Sequence, residues 1–190
     1  MTKVDIRRRV RERRKALGQA VRADFSRRIA RSVLSLLQDH PDGSVFCYLS
    51  VGSEVDTSDV ISARIASGRK VCVPVVVGDA MVAAAYDGKA PLKTGAKGAS
   101  EPQNVDVVPP SQIGVIIAPL VAFDGKGNRL GQGGGYYDKF MTLQAFAVGV
   151  AFSCQQDEFP VETHDVPLDA VVTEQGIRIF DENYRRKIQG

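Results

Sequence analysis

Ile113-Gly-Val-Ile-Ile-Ala118 is an almost continuous apolar run, and it constrains the fold more than any other segment. A strand with one face in water alternates apolar and polar residues, whereas an unbroken run belongs to a strand buried on both faces. Val45-Phe-Cys-Tyr-Leu49, Lys70–Val75 and Ala145–Ala151 read the same way, with further strands expected at Met81–Tyr86 and Ala170–Thr173. Between them lie segments of helical period. Ile6, Val10, Leu17 and Val21 form one apolar stripe, and Phe25, Ile29, Val33, Leu36 and Leu37 continue it, with Gly18 between two helices and His40–Gly43 as the stop. A helix over about 58–67 is expected, capped by Asp56 or Thr57 and ended by Gly68. Residues 87–111, rich in Gly, Pro, Lys and Ser, read as a long excursion within one domain. The expectation is an α/β fold, with a mainly parallel sheet covered on both faces and a basic helical segment in front of it.

Ligands of such sheets collect beyond the carboxyl ends of the strands. There the 113–118 run leads, through Pro119–Asp124, into Gly127-Asn-Arg-Leu-Gly-Gln-Gly-Gly-Gly-Tyr-Tyr-Asp-Lys-Phe140, where four of the residues 131–135 are glycine. Each glycine in an ordered segment costs about 0.5–1 kcal/mol relative to alanine, so four forgo roughly 2–4 kcal/mol. Backbone that must take positive φ or approach a ligand closely justifies that cost, and exposed N–H groups of such a loop cradle anions. A P-loop needs Gly-Lys-Ser/Thr at its close, yet Tyr136 follows Gly135; the dinucleotide fingerprint needs a third glycine where Tyr136 stands. A helix over about 136–144 is expected next. A glycine cluster alone also suits a mobile turn, but the aromatic pair and acid that follow argue for a phosphate-binding site.

The length of 190 residues fits a single domain over 1–190, with 181–190 a polar, frayed tail. No run approaches the ~18 apolar residues of a membrane span, and the polar N-terminus lacks the apolar stretch of a secretory signal. Cys47, Cys72 and Cys154 are odd in number and lack CxxC spacing, which fits free thiols in a reducing cytoplasm. Residues 1–31 carry 12 Lys/Arg against 3 Asp/Glu, a net of +9; with +3 for the whole chain, the remainder carries −6. Such an arm draws nucleic acid or a polyanionic small molecule. No aromatic interleaves the arginines before Phe25, so a single-strand stacking platform is disfavoured and no nucleic-acid partner is expected.

Pro119-Leu, Phe123-Asp124 and the Gly127–Asp138 motif together resemble the 5-formyltetrahydrofolate cyclo-ligase family, also called 5,10-methenyltetrahydrofolate synthetase. Lys3-x-x-x-Arg7 with Arg14-Lys-Ala-Leu17, and Tyr48-Leu-Ser-x-x-x-Glu54-Val-Asp-Thr57, agree in order and spacing, so the resemblance runs from Lys3 to about Thr173. It implies a three-layer α/β/α sandwich and ATP-dependent closure of 5-formyltetrahydrofolate through a phosphorylated formyl group. It also implies a cytoplasmic enzyme, a monomer or weak dimer, that uses Mg²⁺. By resemblance, ATP is bound by Lys3, Arg7, Arg129, Leu130, Gly131, Gln132, Gly133, Gly134, Gly135, Tyr136 and Tyr137. The folate is met by Leu49, Glu54, Gln132, Gly133, Gly134, Gly135 and Tyr136, and the metal by Asp138 and Asp165. A carboxylate at Glu54 suits the N–H donors of a pterin. No residue is expected to act as nucleophile or base, because phosphoryl transfer needs positioning and charge more than protein covalency.

Each assignment has a plainer competitor. Arg129 can pair with an acid, one tyrosine can anchor the loop in the core, Leu49 can be core, and Asp138 can cap the following helix. Arg8, Arg9 and Arg13 read as a solvated basic face, and His164 as a surface loop residue; Cys154 and Lys139 acquire no role. Two positions depart from the family. Gln132 stands where many members carry arginine, and Gly95–Pro102 keeps a Glu-Pro end but lacks the bulky aromatic often found before it. These departures leave a non-catalytic nucleotide- or folate-binding protein of the same fold as the alternative.

Overall fold

The computed structural model describes residues 2–40, 43–95, 98–141, 145–163 and 165–181, without the side chain of Lys139. His164 and 182–190, and so nearly all of the expected tail, lie outside the described residues.

Helix α1 (Lys3–Ala16) begins at Thr2, whose hydroxyl accepts from Asp5 N while the Asp5 carboxylate accepts from Thr2 N. This reciprocal cap satisfies two amides that a helix start leaves open. Gly18, at φ 70°, breaks the path before α2 (Gln19–Leu36), as the sequence predicts. Strand β1 (Ser44–Cys47) leads to α3 (Ser58–Ala66). Asp56 Oδ1 accepts from Ser58 N at 2.9 Å, whereas the Thr57 hydroxyl turns inward and donates to Tyr48 O at 2.7 Å. The far end closes in a Schellman motif: Gly68 N donates to Ile65 O and Arg69 N to Arg64 O, with Gly68 at φ 70°.

Strand β2 (Val71–Val77) turns back into β3 (Ala80–Ala85) as an antiparallel hairpin. The 87–111 excursion is more ordered than its composition implies. It contains the hairpin β4 (Leu92–Thr94) and β5 (Ser100–Pro102), then β6 (Val107–Val108) on the sheet edge. Strand β7 (Ile113–Pro119) is followed by a two-rung hairpin, β8 (Ala122–Phe123) and β9 (Arg129–Leu130). Helix α4 spans only Tyr136–Phe140, shorter than expected, and 142–144 lie outside the described residues. Strands β10 (Phe146–Val150), β11 (Ala170–Thr173) and β12 (Gly176–Ile179) complete the chain.

Eight strands form one sheet in the order β12-β11-β10-β7-β1-β2-β3-β6. The five from β11 to β2 are mutually parallel, and the outer β12, β3 and β6 run antiparallel to their neighbours. Alternation along the central strands separates two cores. Val45, Cys47, Val115 and Ile117 face Ile29, Val33 and Leu36 of α2, together with Val60 and Ile61 of α3. Phe46, Ile116 and Ala118 face the other way, beneath Phe140, Met141, Leu120, Phe123 and Leu168. The second covering layer is therefore α4 plus loops. A five-residue helix has no stability of its own. It is held by burial of Phe140 and Met141, each contributing about 1.5–3 kcal/mol, with the Phe140 ring 4.4 Å from that of Phe46.

The chain passes from β1 through α3 to β2 on one side, then returns to lay β7 on the other side of β1. Strand order thus reverses between β1 and β7, the switch point where a crevice opens beyond the carboxyl ends.

Candidate functional site

Two loops leave that crevice side by side, 48–57 after β1 and 119–135 after β7. The second is shaped by Asp124, a buried carboxylate. Its Oδ1 accepts from Lys126 N at 2.8 Å and Asn128 N at 2.9 Å, and its Oδ2 from Asn128 Nδ2 at 2.6 Å. Gly127 completes the turn at φ 87°, where a Cβ would lie 2.8 Å from the Phe180 ring. The Phe-Asp and Gly-Asn elements of the motif therefore make a rigid bracket from which the glycine loop hangs.

In the loop, Gly133 (φ 95°) and Gly135 (φ 68°) occupy backbone conformations that L side chains avoid. Gly131 is needed for closeness, since a Cβ there would sit 2.7 Å from Arg129 Nη1. Because α4 is so short, the positive field over the loop comes mainly from α1. Ile6 and Val10 of α1 pack on Val121, Ala122, Leu130 and Phe159. Arg9 Nη2 meets Asp157 Oδ1 at 2.7 Å, and Arg13 pairs with the same carboxylate. Arg9 and Arg13 are thus clamps that orient α1, not a simply solvated face; Arg8, with its side chain 74% exposed, does fit that description.

This docking turns Lys3, Arg7, Arg11, Arg14 and Lys15 onto a cleft of about 620 Å³. Arg7 Nε donates to Gly131 O at 2.8 Å, and its guanidinium would lie 3.6 Å from a Cβ on Gly133. Lys3 Nζ lies 3.0 Å from Asp165 Oδ2 and 2.9 Å from Glu162 Oε1. Burial works against the Lys3 ammonium, but hydrogen bonds to those two carboxylates prevail and raise its pKa. Arg14 is buried, with Nε 3.0 Å from Ser53 Oγ. Burial lowers its pKa and the nearby Glu54 opposes that, leaving a guanidinium that stays charged.

Arg129 is sunk beneath the loop, with 3% of its side chain exposed, and pairs with Asp138. Its guanidinium carbon lies 5.7 Å from the Tyr137 ring centroid, and its Nε has no partner. Tyr137 anchors the loop: its hydroxyl is enclosed without a partner and its ring meets Phe46 edge-on at 6.1 Å. Burial raises its pKa. Tyr136 and Tyr137 are both half-buried and both line the cleft, but only the Tyr137 hydroxyl is enclosed without a partner. Leu49 both lines the cleft and packs on the core. Cys47 and Cys72 are buried thiols whose pKa values burial pushes up to about 12, and Cys154 is also free.

Glu54 stands opposite the loop. Its Oε2 accepts from Val51 N at 3.1 Å, and its Oε1 from Gln132 Nε2 at 3.2 Å. The other end of the Gln132 amide accepts from Arg11. The neutral residue at 132 is therefore bridged to a cation one helix away. Spacing alone does not reveal Arg11, Arg14, Ser53 or Glu101 as cleft residues, because they meet the site through packing.

Asp138 and Asp165 both line the cleft, but no group of three or more His, Cys, Asp or Glu able to hold a metal exists among the described residues. This donor set does not make a protein cage. It does fit Mg²⁺ carried on phosphate, an ion that typically takes one or two carboxylates and draws its remaining oxygens from phosphate and water.

A mostly parallel sheet with a cation-lined glycine loop at its switch point defines an α/β protein with a basic cleft at that point. Residues 1–174 match the sequence profile of the 5-formyltetrahydrofolate cyclo-ligase family. The chain belongs to that family, and so to a class of ligases. It is 35% identical over 177 residues to the 5-formyltetrahydrofolate cyclo-ligase of Escherichia coli K12, covering 86% of this chain and 96% of that one. The Haemophilus influenzae enzyme of the same name is 35% identical over 152 residues, covering 74% and 80%. The solved structure of Aquifex aeolicus 5,10-methenyltetrahydrofolate synthetase superposes with a TM-score of 0.85 at 30% identity, covering 96% of this chain and 94% of that one. Among the described residues no helix is long and apolar enough to cross a membrane.

Proposed function

We propose that this chain catalyses ATP-dependent closure of 5-formyltetrahydrofolate to 5,10-methenyltetrahydrofolate, releasing ADP and phosphate. The observation that carries this reading is Arg7, bonded to Gly131 O with its guanidinium over Gly133, beside Lys3 on the same helix face. That pairing holds two cations against a loop whose open backbone suits a triphosphate. In the proposed step the formyl oxygen attacks the γ-phosphorus and ADP departs, leaving an iminium phosphate at N5. N10 then adds to the formyl carbon, the C–O bond breaks, and the departing phosphate takes the N10 proton. Lys3, Arg7 and the loop amides from Leu130 to Tyr137 stabilise phosphate charge, which is most of what such a transfer asks of a protein. Glu54 accepts N–H donors of the folate, with Leu49, Gln132 and Tyr136 shaping its bed. Asp138 and Asp165 are the proposed carboxylates for Mg²⁺, which when bound would neutralise phosphate oxygens.

The bridge from Arg11 to Gln132 supports catalysis over a purely binding role, because it returns a cation to the position that departs from the family. Mixing the protein with 5-formyltetrahydrofolate, ATP and Mg²⁺ is expected to yield the methenyl chromophore with one ADP per turnover. Ligand binding by isothermal titration without product or ADP release would instead establish the non-catalytic binder.

A further inference from the structure

The cleft has a second acidic wall that the glycine loop does not account for. Glu101, on β5, is 5% exposed, yet it lines the cleft together with Pro74, Val76 and Met81. Its Oε1 accepts from Val76 N at 3.2 Å. Gly95, at the start of the β4–β5 turn, closes over the carboxylate from behind: a Cβ there would stand 2.1 Å from Glu101 Cδ and 2.4 Å from each oxygen. The turn is itself held by Gly95 N donating to Ala99 O at 2.7 Å. Glycine is thus required for the carboxylate to occupy this place.

An ionised carboxylate offers about four acceptor sites. One backbone amide satisfies one of them, and among the described residues no cation forms a salt bridge with Glu101. The other oxygen has no partner among the described residues yet is not one of the enclosed unpartnered atoms, so it opens on the cleft, where a donor from a ligand can reach it. The remaining acceptor capacity stands at the end of an apolar surface made by a proline, a valine and a methionine. That combination suits a flat ring whose leading edge carries two adjacent N–H donors.

We infer that Glu101 accepts the 2-amino and N3–H pair of the pterin ring, making the β4–β5 hairpin the specificity element for the folate. The inference rests on the function proposed above. Adenine is the other flat ring in the reaction, but its amino group neighbours a ring acceptor. A carboxylate there would gain one hydrogen bond and face one repulsion, so this wall discriminates against the nucleotide base. Glu54, already engaged by Val51 N and Gln132, is left to the part of the substrate beside the glycine loop.

The test is steady-state kinetics on wild type, Glu101→Gln and Gly95→Ala, with 5-formyltetrahydrofolate and its 2-desamino analogue. Glu101→Gln keeps an acceptor for Val76 N but sets an amide donor against the pterin donors. It is expected to raise the folate KM about 10- to 100-fold, the worth of a charged hydrogen-bond pair, with the ATP KM unchanged. Wild type is expected to discriminate against the 2-desamino analogue, and Glu101→Gln to lose that discrimination. Gly95→Ala retains the carboxylate but displaces it, so it should reproduce the folate effect in a protein of near wild-type melting temperature. Undiminished discrimination in Glu101→Gln, a rise in the ATP KM instead, or a wild-type folate KM in Gly95→Ala would overturn the assignment. Wild-type turnover is the control for the underlying reading. Its absence would remove that reading and the role of Glu101 together, whereas its presence with unchanged discrimination would remove only Glu101.

Discussion

At the scale of single residues, the site divides by how each side chain reaches it. Lys3, Arg7, Glu54 and the glycines sit inside short motifs, and the cleft gathers them as the family resemblance leads one to expect. Arg129 and Tyr137 lie in the same motif but serve it from below, paired and packed. Sequence adjacency cannot distinguish a residue that faces a ligand from one that holds up the loop. Arg11 is illegible for the opposite reason, since only the fold brings it across 121 residues to Gln132. Glu101 shows itself only as part of the Glu-Pro end that matches the family, with no hint of its contact to Val76. Glu54 affords the sharpest residue-level prediction. Its bonds run to Val51 N and Gln132 Nε2 and not to Lys3 or Arg7, so Glu54→Ala should weaken folate binding about 10- to 100-fold and leave nucleotide binding intact. Separate titrations of the two ligands measure this, and equal loss of both would refute it.

Among the elements, α1 has the most to do. Apolar contact through Ile6 and Val10 and the Asp157 clamp help to set its azimuth, together with the bonds of Lys3, Arg7, Arg11 and Arg14, and hence the aim of its cations. Ile6→Ala should destabilise the protein by about 2–5 kcal/mol and also raise the ATP KM, which denaturant melts and kinetics would detect. A stability loss with an unchanged ATP KM would show that α1 merely packs. Burial pushes the Asp157 carboxyl up, but hydrogen bonds and charge from Arg9 and Arg13 overcome this and hold its pKa below the ordinary 3.8. A carboxyl depressed in the folded state stabilises it fully above the unfolded pKa, and the benefit fades as pH falls through the folded value. Asp157→Asn should therefore cost about 1.5–3 kcal/mol near neutrality. The gap from wild type should stay flat down to about pH 5 and close below about pH 3.8. Denaturant titrations across that range decide it; a gap constant to pH 2.5 (roughly, well under the carboxylate range) would exclude the clamp. Element legibility follows the same physics. The parallel strands announce themselves because burial on two faces leaves no polar alternation. β12 does not: its central Ile177 and Arg178 are exposed, and its ends are half-buried. The hairpin arms β8 and β9, at two residues each, are too short for any period.

For the molecule as a whole, charge is separated into a basic N-terminal arm and an acidic remainder, +9 against −6. The fold lays part of that arm along the cleft. Ionic strength should then act on encounter and binding rather than on chemistry. Raising salt from about 0.05 to 0.5 M is expected to increase the ATP KM several-fold with little change in kcat. A salt-independent KM would mean that the cleft cations are too well paired with protein acids to attract the nucleotide.

The arrangement of α1 also sets an order of events during synthesis. Arg7 finds its acceptor 124 residues later, and Lys3 meets Asp165 162 residues later. The helix that carries the cations leaves the ribosome before its docking surface, by roughly 8–30 s at 5–20 residues per second. An unfinished chain therefore has the cations of α1 but not the loop and carboxylates against which they are held. The cleft is complete only once the segment from Gly131 to Asp165 has closed beneath α1.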